Sequence, residues 1–179
     1  MPKPRLLVRL CAGMLLLVAV AAAAASADAA ADAQRLLAAG DGAAALRSVE
    51  LGLAKQPNDA GLRFVRAVIL SDQRRDDEAL EAYRRLTEDY PDLAGPFNNL
   101  AVLLAARGQL DAARTALEQA LRLDPGNATA RQNQGDLYLR LALQAWAQAE
   151  VKDRPDPALQ RKLRLARELQ EGAAPAAAR

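Results

Sequence analysis

Side chains with catalytic chemistry are scarce in this chain of 179 residues. Histidine is absent and Cys11 is the single cysteine, which excludes zinc sites built on these residues and Ser-His-Asp or Cys-His nucleophiles. No glycine-rich motif for phosphate binding occurs. The inventory leaves open a Ser-Lys or carboxylate-only site, but carboxylates such as Asp72 and Asp136 are scattered and show no pairing in sequence. We therefore expect a protein that binds a partner without catalysis, and without a cofactor or metal ion.

Amides offer the clearest binding chemistry. Asn99 and Asn133 are the candidates, and the interval between them recurs elsewhere in the chain. An asparagine side chain both donates and accepts hydrogen bonds, so it can pair with a peptide backbone whatever the side chains of that peptide. The alternative is a structural role, in which each amide forms hydrogen bonds inside the protein. The recurring interval identifies the elements that position both side chains.

The composition favours helices. Hydrophobic residues make up 51% of the chain, but aromatic residues only 3%. Alanine and leucine, which are strong helix formers, supply most of the apolar content, and the β-branched residues typical of strands are few. An all-α fold is therefore predicted.

A sequence repeat is marked by Pro57, Pro91 and Pro125, which are evenly spaced at the interval that also separates the two asparagines. Proline lacks an amide proton and restricts the residue before it, so a helix ends there and the next unit begins. Small residues recur in the same register and let two helices approach closely, while larger residues beside them fill the space between the helices. The matching columns are Ala45, Ala79, Ala113 and Ala147; Ala67, Ala101 and Gly135; Leu36, Leu70, Leu104 and Tyr138; and Val49, Tyr83, Leu117 and Val151.

This repeat resembles the tetratricopeptide repeat (TPR) family, whose unit is a helix-turn-helix of the same length as the interval between the prolines. The resemblance implies an all-α, right-handed α-solenoid of antiparallel helix pairs with a C-terminal capping helix. Residues 95–128 fit the family pattern best, with the expected residue types at Phe97, Leu100, Ala101, Leu104, Gly108, Ala113, Leu117, Ala120 and Pro125.

One domain of this kind is predicted over residues 28–171, between a signal peptide at residues 1–27 and a disordered tail at residues 172–179. The fourth unit departs from the pattern, because no Gly, Asp or Pro marks its turn; its helix is expected to run unbroken through Trp146 or to kink slightly near Ala142. The units are predicted at residues 28–60, 61–94, 95–128 and 129–152, with the capping helix at residues 156–171.

Acidic residues are predicted to begin two of the helices. Asp76 or Asp77 is expected at the N-cap of the second helix in the second unit. Asp156 is expected at the N-cap of the last helix, with Pro157 at its first helical position.

In similar repeat proteins the first helices of successive units line a concave wall that takes an extended peptide or a partner's helix. The family's carboxylate clamp is not matched, since Phe64 and Val68 stand where the clamp would begin with Lys and Asn. A groove of mixed polar and apolar character is therefore implied. The implied groove residues are Phe64, Val68, Asp72, Asn98, Asn99, Val102, Gln132, Asn133, Asp136 and Arg140.

The first 27 residues have the features of a secretory signal peptide. Three basic residues precede an uncharged apolar run at residues 10–25, and the run ends in the small residues Ala25, Ser26 and Ala27. We predict export, to a bacterial periplasm, and a mature protein without a membrane span. The alternative is an uncleaved signal that anchors the protein in the inner membrane through residues 10–25.

The charges of the remaining chain are mixed. The signal region holds three of the 24 basic residues and none of the 22 acidic ones, which leaves 21 basic against 22 acidic residues. A near-neutral body of this kind has no electrostatic footprint for nucleic acid. We predict a non-catalytic scaffold of the periplasm or cell envelope that binds a protein or peptide partner. A self-assembling, homo-oligomeric envelope protein is the alternative.

Overall fold

The computed structural model describes residues 28–150 and 156–172. These residues form eight α-helices and no strand, which confirms the all-α prediction. The predicted signal peptide, the last two residues of the fourth unit, and the predicted tail beyond its first residue lie outside the described residues. The helices are α1 (28–38), α2 (Gly42–Lys55), α3 (Ala60–Asp72), α4 (Asp76–Asp89), α5 (Ala94–Ala106), α6 (Leu110–Leu123), α7 (Ala128–Glu150) and α8 (Pro157–Gly172).

The first helix of each of the first three units ends in the same left-handed turn. Gly40, Arg74 and Gly108, which follow one another at the interval of the sequence repeat, have φ angles of 80°, 59° and 74°. In each turn the amide of this residue donates to the carbonyl three residues back, and the next amide donates to the carbonyl five residues back, at 2.9–3.0 Å. These bonds satisfy carbonyls that a helix end otherwise leaves unpaired, and the chain reverses. The sequence repeat is therefore a repeat of backbone geometry.

Arg74 is the one non-glycine residue with positive φ in the part of the chain that the structure describes. The left-handed conformation costs a residue with a Cβ about 1–2 kcal/mol. The side chain of Arg74 is exposed, so it meets no packing conflict in this conformation. The two backbone hydrogen bonds of the turn offset the cost.

The fourth unit lacks this turn. Ala142 occupies the equivalent position and lies inside α7, which continues for 23 residues from Ala128 to Glu150. The prediction of an unbroken helix through Trp146 is confirmed. Alanine strongly favours the helix and, unlike glycine, is costly in the left-handed conformation, so nothing in this segment directs the chain to reverse.

The missing turn changes the burial of the alanine column of the repeat. Ala45, Ala79 and Ala113 are 0% exposed, each on the second helix of its unit where that helix faces the first. Ala147 aligns with them in sequence but is exposed, because α7 does not turn back and presents no second helix to bury it.

Helix α4 begins without the predicted cap. Its N-cap position is Arg75, which makes no side-chain capping bond, and Asp76 and Asp77 lie in the first turn. The prediction that one of these aspartates is the N-cap is wrong, because the left-handed turn at Arg74 brings Arg75 to the start of the helix. Both carboxylates still lie where the positive end of the helix dipole favours them. A hydrogen bond from Arg75 lowers the pKa of the Glu78 carboxyl in the same turn.

Helix α8 packs against α7. Asp156 accepts a hydrogen bond from the amide two residues later at 2.8 Å, which confirms the prediction that Asp156 is the N-cap of this helix. Leu163 and Ala166 are buried, whereas Leu165 and Leu169 are exposed. The buried face of this helix is therefore narrower than its leucine content indicates.

The helices form two compact lobes, an N-terminal lobe that ends at Tyr90 and a C-terminal lobe that begins at Pro91. In the N-terminal lobe α2 packs on α3 and α3 on α4; in the C-terminal lobe α5 packs on α6, α6 on α7 and α7 on α8. This order of neighbours is that of a solenoid of helix pairs. The extent of the predicted domain, residues 28–171, stays a prediction. A core of the N-terminal lobe consists of Ala33, Ala45, Val49, Leu62 and Ile69.

We expect Ala113→Leu to lower the free energy of unfolding by about 1–3 kcal/mol, because the larger side chain overpacks the buried face of α6. Ala147→Leu adds the same atoms at the exposed equivalent position, where a change within about 0.5 kcal/mol is expected. Urea unfolding followed by circular dichroism measures both. Equal losses for the two variants would contradict the assignment of the column.

Candidate functional site

A groove runs between α5 and α7 in the C-terminal lobe. Four of the ten predicted groove residues, Val102, Asn133, Asp136 and Arg140, lie together in its wall. Its volume is about 250 Å³. The groove is lined by Ala101, Val102, Ala105, Ala106, Leu117, Asn133, Asp136, Leu137 and Arg140.

The two sides of the groove differ in chemistry. Helix α5 contributes only alanines and Val102, a residue that is 46% exposed. Helix α7 contributes Asn133, Asp136 and Arg140, which recur about once per turn and so share one face of the helix. An apolar floor therefore lies beside a polar edge.

Asn98 connects the two helices. This residue is only 8% exposed. Its Oδ1 accepts a hydrogen bond from Nδ2 of Asn133 at 2.9 Å, and its Nδ2 donates to Oδ1 of Asn99 at 3.1 Å. A buried amide is stabilised only when its polar atoms are paired, and these bonds pair both ends of Asn98. Asn98 is therefore a buried structural residue that joins α5 to α7, not an open contact position.

Asn133 also has a structural role, although its hydrogen-bond partner lies in another repeat unit. Asn133 does not bond within its own unit but to Asn98 of the preceding one. This bond uses the nitrogen of the Asn133 amide. Its Oδ1 accepts no hydrogen bond from the described residues. Asn133 therefore combines a structural donor with an acceptor that is still available at the groove edge.

Arg140 also has a structural bond. Its Nη1 donates to the carbonyl oxygen of Ala105 at 3.1 Å, in the last turn of α5. A cation at a helix C-terminus satisfies an end carbonyl and interacts favourably with the helix dipole. Because this bond depends on side-chain conformation, the repeat pattern alone does not reveal it.

Asp136 differs from its neighbours. It is exposed, and among the described residues it has no hydrogen bond or ion pair. Arg140 lies one turn further along α7, but its guanidinium is directed to the Ala105 carbonyl. Gln132 is also exposed, yet neither Gln132 nor Asn99 contributes to the lining of the cavity.

The remaining three predicted residues belong to α3 in the N-terminal lobe. Phe64 and Val68 are half-buried and Asp72 is exposed, and their spacing of four residues places them on one face of the helix. The ring of Phe64 lies 6.0 Å from that of Tyr83, with a tilt of 59° between the planes. Phe64 therefore packs within its own repeat with part of its side chain.

A second cavity in the C-terminal lobe was not predicted. It has a volume of about 540 Å³ and lies between α5 and α6. The large residues Phe97, Leu100 and Leu104 of α5, which the repeat pattern assigns to packing, form much of its wall. Its lining is mostly apolar, so it offers contact area but few hydrogen bonds.

The described residues contain no cluster of acidic or cysteine side chains that could hold a metal ion. Among these same residues, no helix combines the length and apolar content needed to cross a membrane.

Comparison with known proteins identifies the fold. Residues 103–141, which run from α5 through α6 into α7 and include the groove lining except Ala101 and Val102, match the family model for a TPR repeat. No curated protein matches the chain. The fold is of the tetratricopeptide repeat type. The predicted α-solenoid of TPR-like helix pairs is thereby confirmed.

Solved structures resemble the chain along most of its length. The second TPR domain of human RPAP3, determined with an HSP70 peptide, is 18% identical, with a TM-score of 0.58 over 65% of this chain and 98% of that one. The first TPR of Spaghetti (RPAP3), bound to an HSP90 peptide, is 16% identical, with a TM-score of 0.60 over 65% and 93%. The Pseudomonas aeruginosa pilF structure is 18% identical, with a TM-score of 0.63 over 85% and 72%.

Replacing Asn98 by Ala is expected to lower the free energy of unfolding by about 1–3 kcal/mol, because the change leaves the amides of Asn99 and Asn133 without their buried partner. Gln132→Ala, at an exposed position of α7, is the matched control and should change stability by less than about 0.5 kcal/mol. Chemical unfolding measures the difference. If Asn98→Ala is as stable as the control, the asparagine network has no structural role.

Proposed function

We propose that this protein is a non-catalytic interaction module that binds an extended peptide segment of a partner protein in the groove between α5 and α7. The observation that carries the proposal is the pairing of an alanine-rich floor with the polar edge of Asn133, Asp136 and Arg140. The two RPAP3 domains, which share the fold, were determined with peptides bound.

The dimensions and chemistry of the groove suit a peptide. Small side chains at Ala101, Ala105 and Ala106 leave room for the side chains of a ligand, and burying apolar groups there is favourable by about 25 cal/mol per Å². Along the edge, the free Oδ1 of Asn133 can accept a hydrogen bond from a backbone amide of the ligand. Apolar contact would then supply affinity, and the edge would fix the position of the bound segment.

The preferred peptide is not expected to be the one that the RPAP3 domains bind. The peptides in those two structures end in Glu-Glu-Val-Asp and are therefore acidic. In this groove an exposed carboxylate, Asp136, lies on the edge, no lysine lines the wall, and the guanidinium of Arg140 is directed to the Ala105 carbonyl. Phe64 and Val68 likewise replace the residues with which a carboxylate clamp would begin.

Val102→Arg should weaken peptide binding by roughly tenfold or more, because a long charged side chain would lie across the apolar floor. The probe is a random dodecapeptide display library, selected on the complete chain. Glu118→Arg places the same side chain on an exposed position of α6 outside the groove and should bind the selected peptides as the unchanged protein does. Circular dichroism verifies the helical content of both variants.

Two outcomes would contradict the proposed function. In the first, selection yields no peptide above background. In the second, the selected peptides bind Val102→Arg as tightly as they bind Glu118→Arg, which would place their contacts outside the groove.

We further propose that the module acts after export, in the periplasm or at the cell envelope. The support is the charge and hydropathy pattern of the first 27 residues. Expressed in a Gram-negative host, the protein should appear in the periplasmic extract with Asp28 as its first residue, as N-terminal sequencing would show. Ala27→Leu should block this cleavage, whereas Ala22→Leu, inside the apolar run, should not.

Recovery of the uncleaved chain in the membrane fraction would favour the anchor at residues 10–25 instead, and recovery in the cytoplasm would contradict export altogether. Self-association of the exported protein stays a prediction, which light scattering over a range of concentrations tests; a constant monomer mass contradicts it.

A further inference from the structure

The charged groups of the groove are unequally occupied. Asp136 and Arg140 are the two charged residues in its lining. One nitrogen of the Arg140 guanidinium is held by the carbonyl of Ala105 at 3.1 Å, which fixes the side chain against the end of α5. Asp136 has no such partner among the described residues. Arg140 keeps its positive charge, but the Asp136 carboxylate has no hydrogen bond or ion pair with the described residues and is open to a partner.

Several features keep Asp136 from being paired internally. The facing helix contributes only alanines and Val102 to the groove, so no cation reaches Asp136 from α5. From α6 only Leu117 lines the cavity, and from α7 the remaining polar neighbours are the neutral Asn133 and the fixed Arg140. Apart from Arg140, a cation that pairs with Asp136 in this groove must therefore come from outside the described residues.

Asn133 adds a second acceptor on the same edge. Its amide nitrogen is bonded to Asn98, which orients its Oδ1 as the available atom. Asn133 and Asp136 are three residues apart on α7, so both side chains lie on the same helix face. An amide oxygen and a carboxylate side by side match a group with several N–H donors, such as a guanidinium or an ammonium.

We infer that the groove selects peptide segments with a basic side chain, arginine or lysine, whose cationic group pairs with Asp136 and Asn133. The methylene stem of that side chain lies on the floor of Ala101 and Ala105. The inference rests on the proposed function and adds the chemical class of the partner segment to it.

The dodecapeptide selection tests the inference when it is repeated on Asp136→Asn. This variant keeps the shape of the side chain and removes its charge. Glu118→Gln, which removes an exposed carboxylate of α6 outside the groove, is the matched control. Peptides from the unchanged protein and from Glu118→Gln should contain Arg and Lys above their frequency in the unselected library, and peptides from Asp136→Asn should not.

A second measurement uses one selected peptide. Replacing its conserved basic residue by norleucine should weaken binding to the unchanged protein roughly tenfold, the loss of one hydrogen bond to a charged group. The same replacement should have little effect on binding to Asp136→Asn. Isothermal titration calorimetry measures all four combinations.

The outcomes separate this inference from the proposed function. Selected peptides that bind only when Val102 is unchanged, yet show no enrichment of Arg and Lys, would overturn the inference and leave the function intact. The same holds if enrichment persists on Asp136→Asn. Peptides that bind irrespective of Val102→Arg would contradict the function itself.

Discussion

The left-handed turn that ends the first helix of each of the first three units is the constraint on which the rest of the structure depends. Where Gly40, Arg74 and Gly108 adopt positive φ, the chain reverses and the second helix returns along the first. The alanine column then becomes a fully buried contact. Where Ala142 replaces the turn residue, the chain continues and α7 extends for 23 residues. A single backbone conformation therefore separates a helix pair from a long helix.

The groove is a product of the same turn. Because α5 ends at the turn of Gly108, the carbonyl of Ala105 lies in its last turn, where it accepts hydrogen bonds from the amide of Gly108 and from Arg140. That bond joins the end of α5 to the middle of α7, and the bond between Asn98 and Asn133 joins the two helices further along. The wall of the groove is thus fixed at two points by polar bonds, while the alanine floor between them stays open to a ligand.

The sequence was sufficient for what depends on backbone periodicity. The spacing of the prolines and small residues predicts the helix pairs, and the lack of Gly, Asp or Pro in the fourth unit predicts the unbroken α7. The same register brings Val102 and Asn133 together across one groove. Features that depend on the conformation or packing of one residue were not predicted. Arg75 became an N-cap because its neighbour took a left-handed conformation, and the burial of Asn98 follows from its packing rather than from its residue type.

The residues that hold this fold and those that would choose a ligand are largely different. Asn98 is buried with both ends of its amide paired, so it acts on folding. Asp136 is exposed and unpaired among the described residues, and surface charges of this kind contribute little to stability. Its identity can therefore change without loss of the fold. This separation explains how solved structures only 16–18% identical to the chain share its architecture, and why a partner must be inferred from the groove edge and not from the repeat.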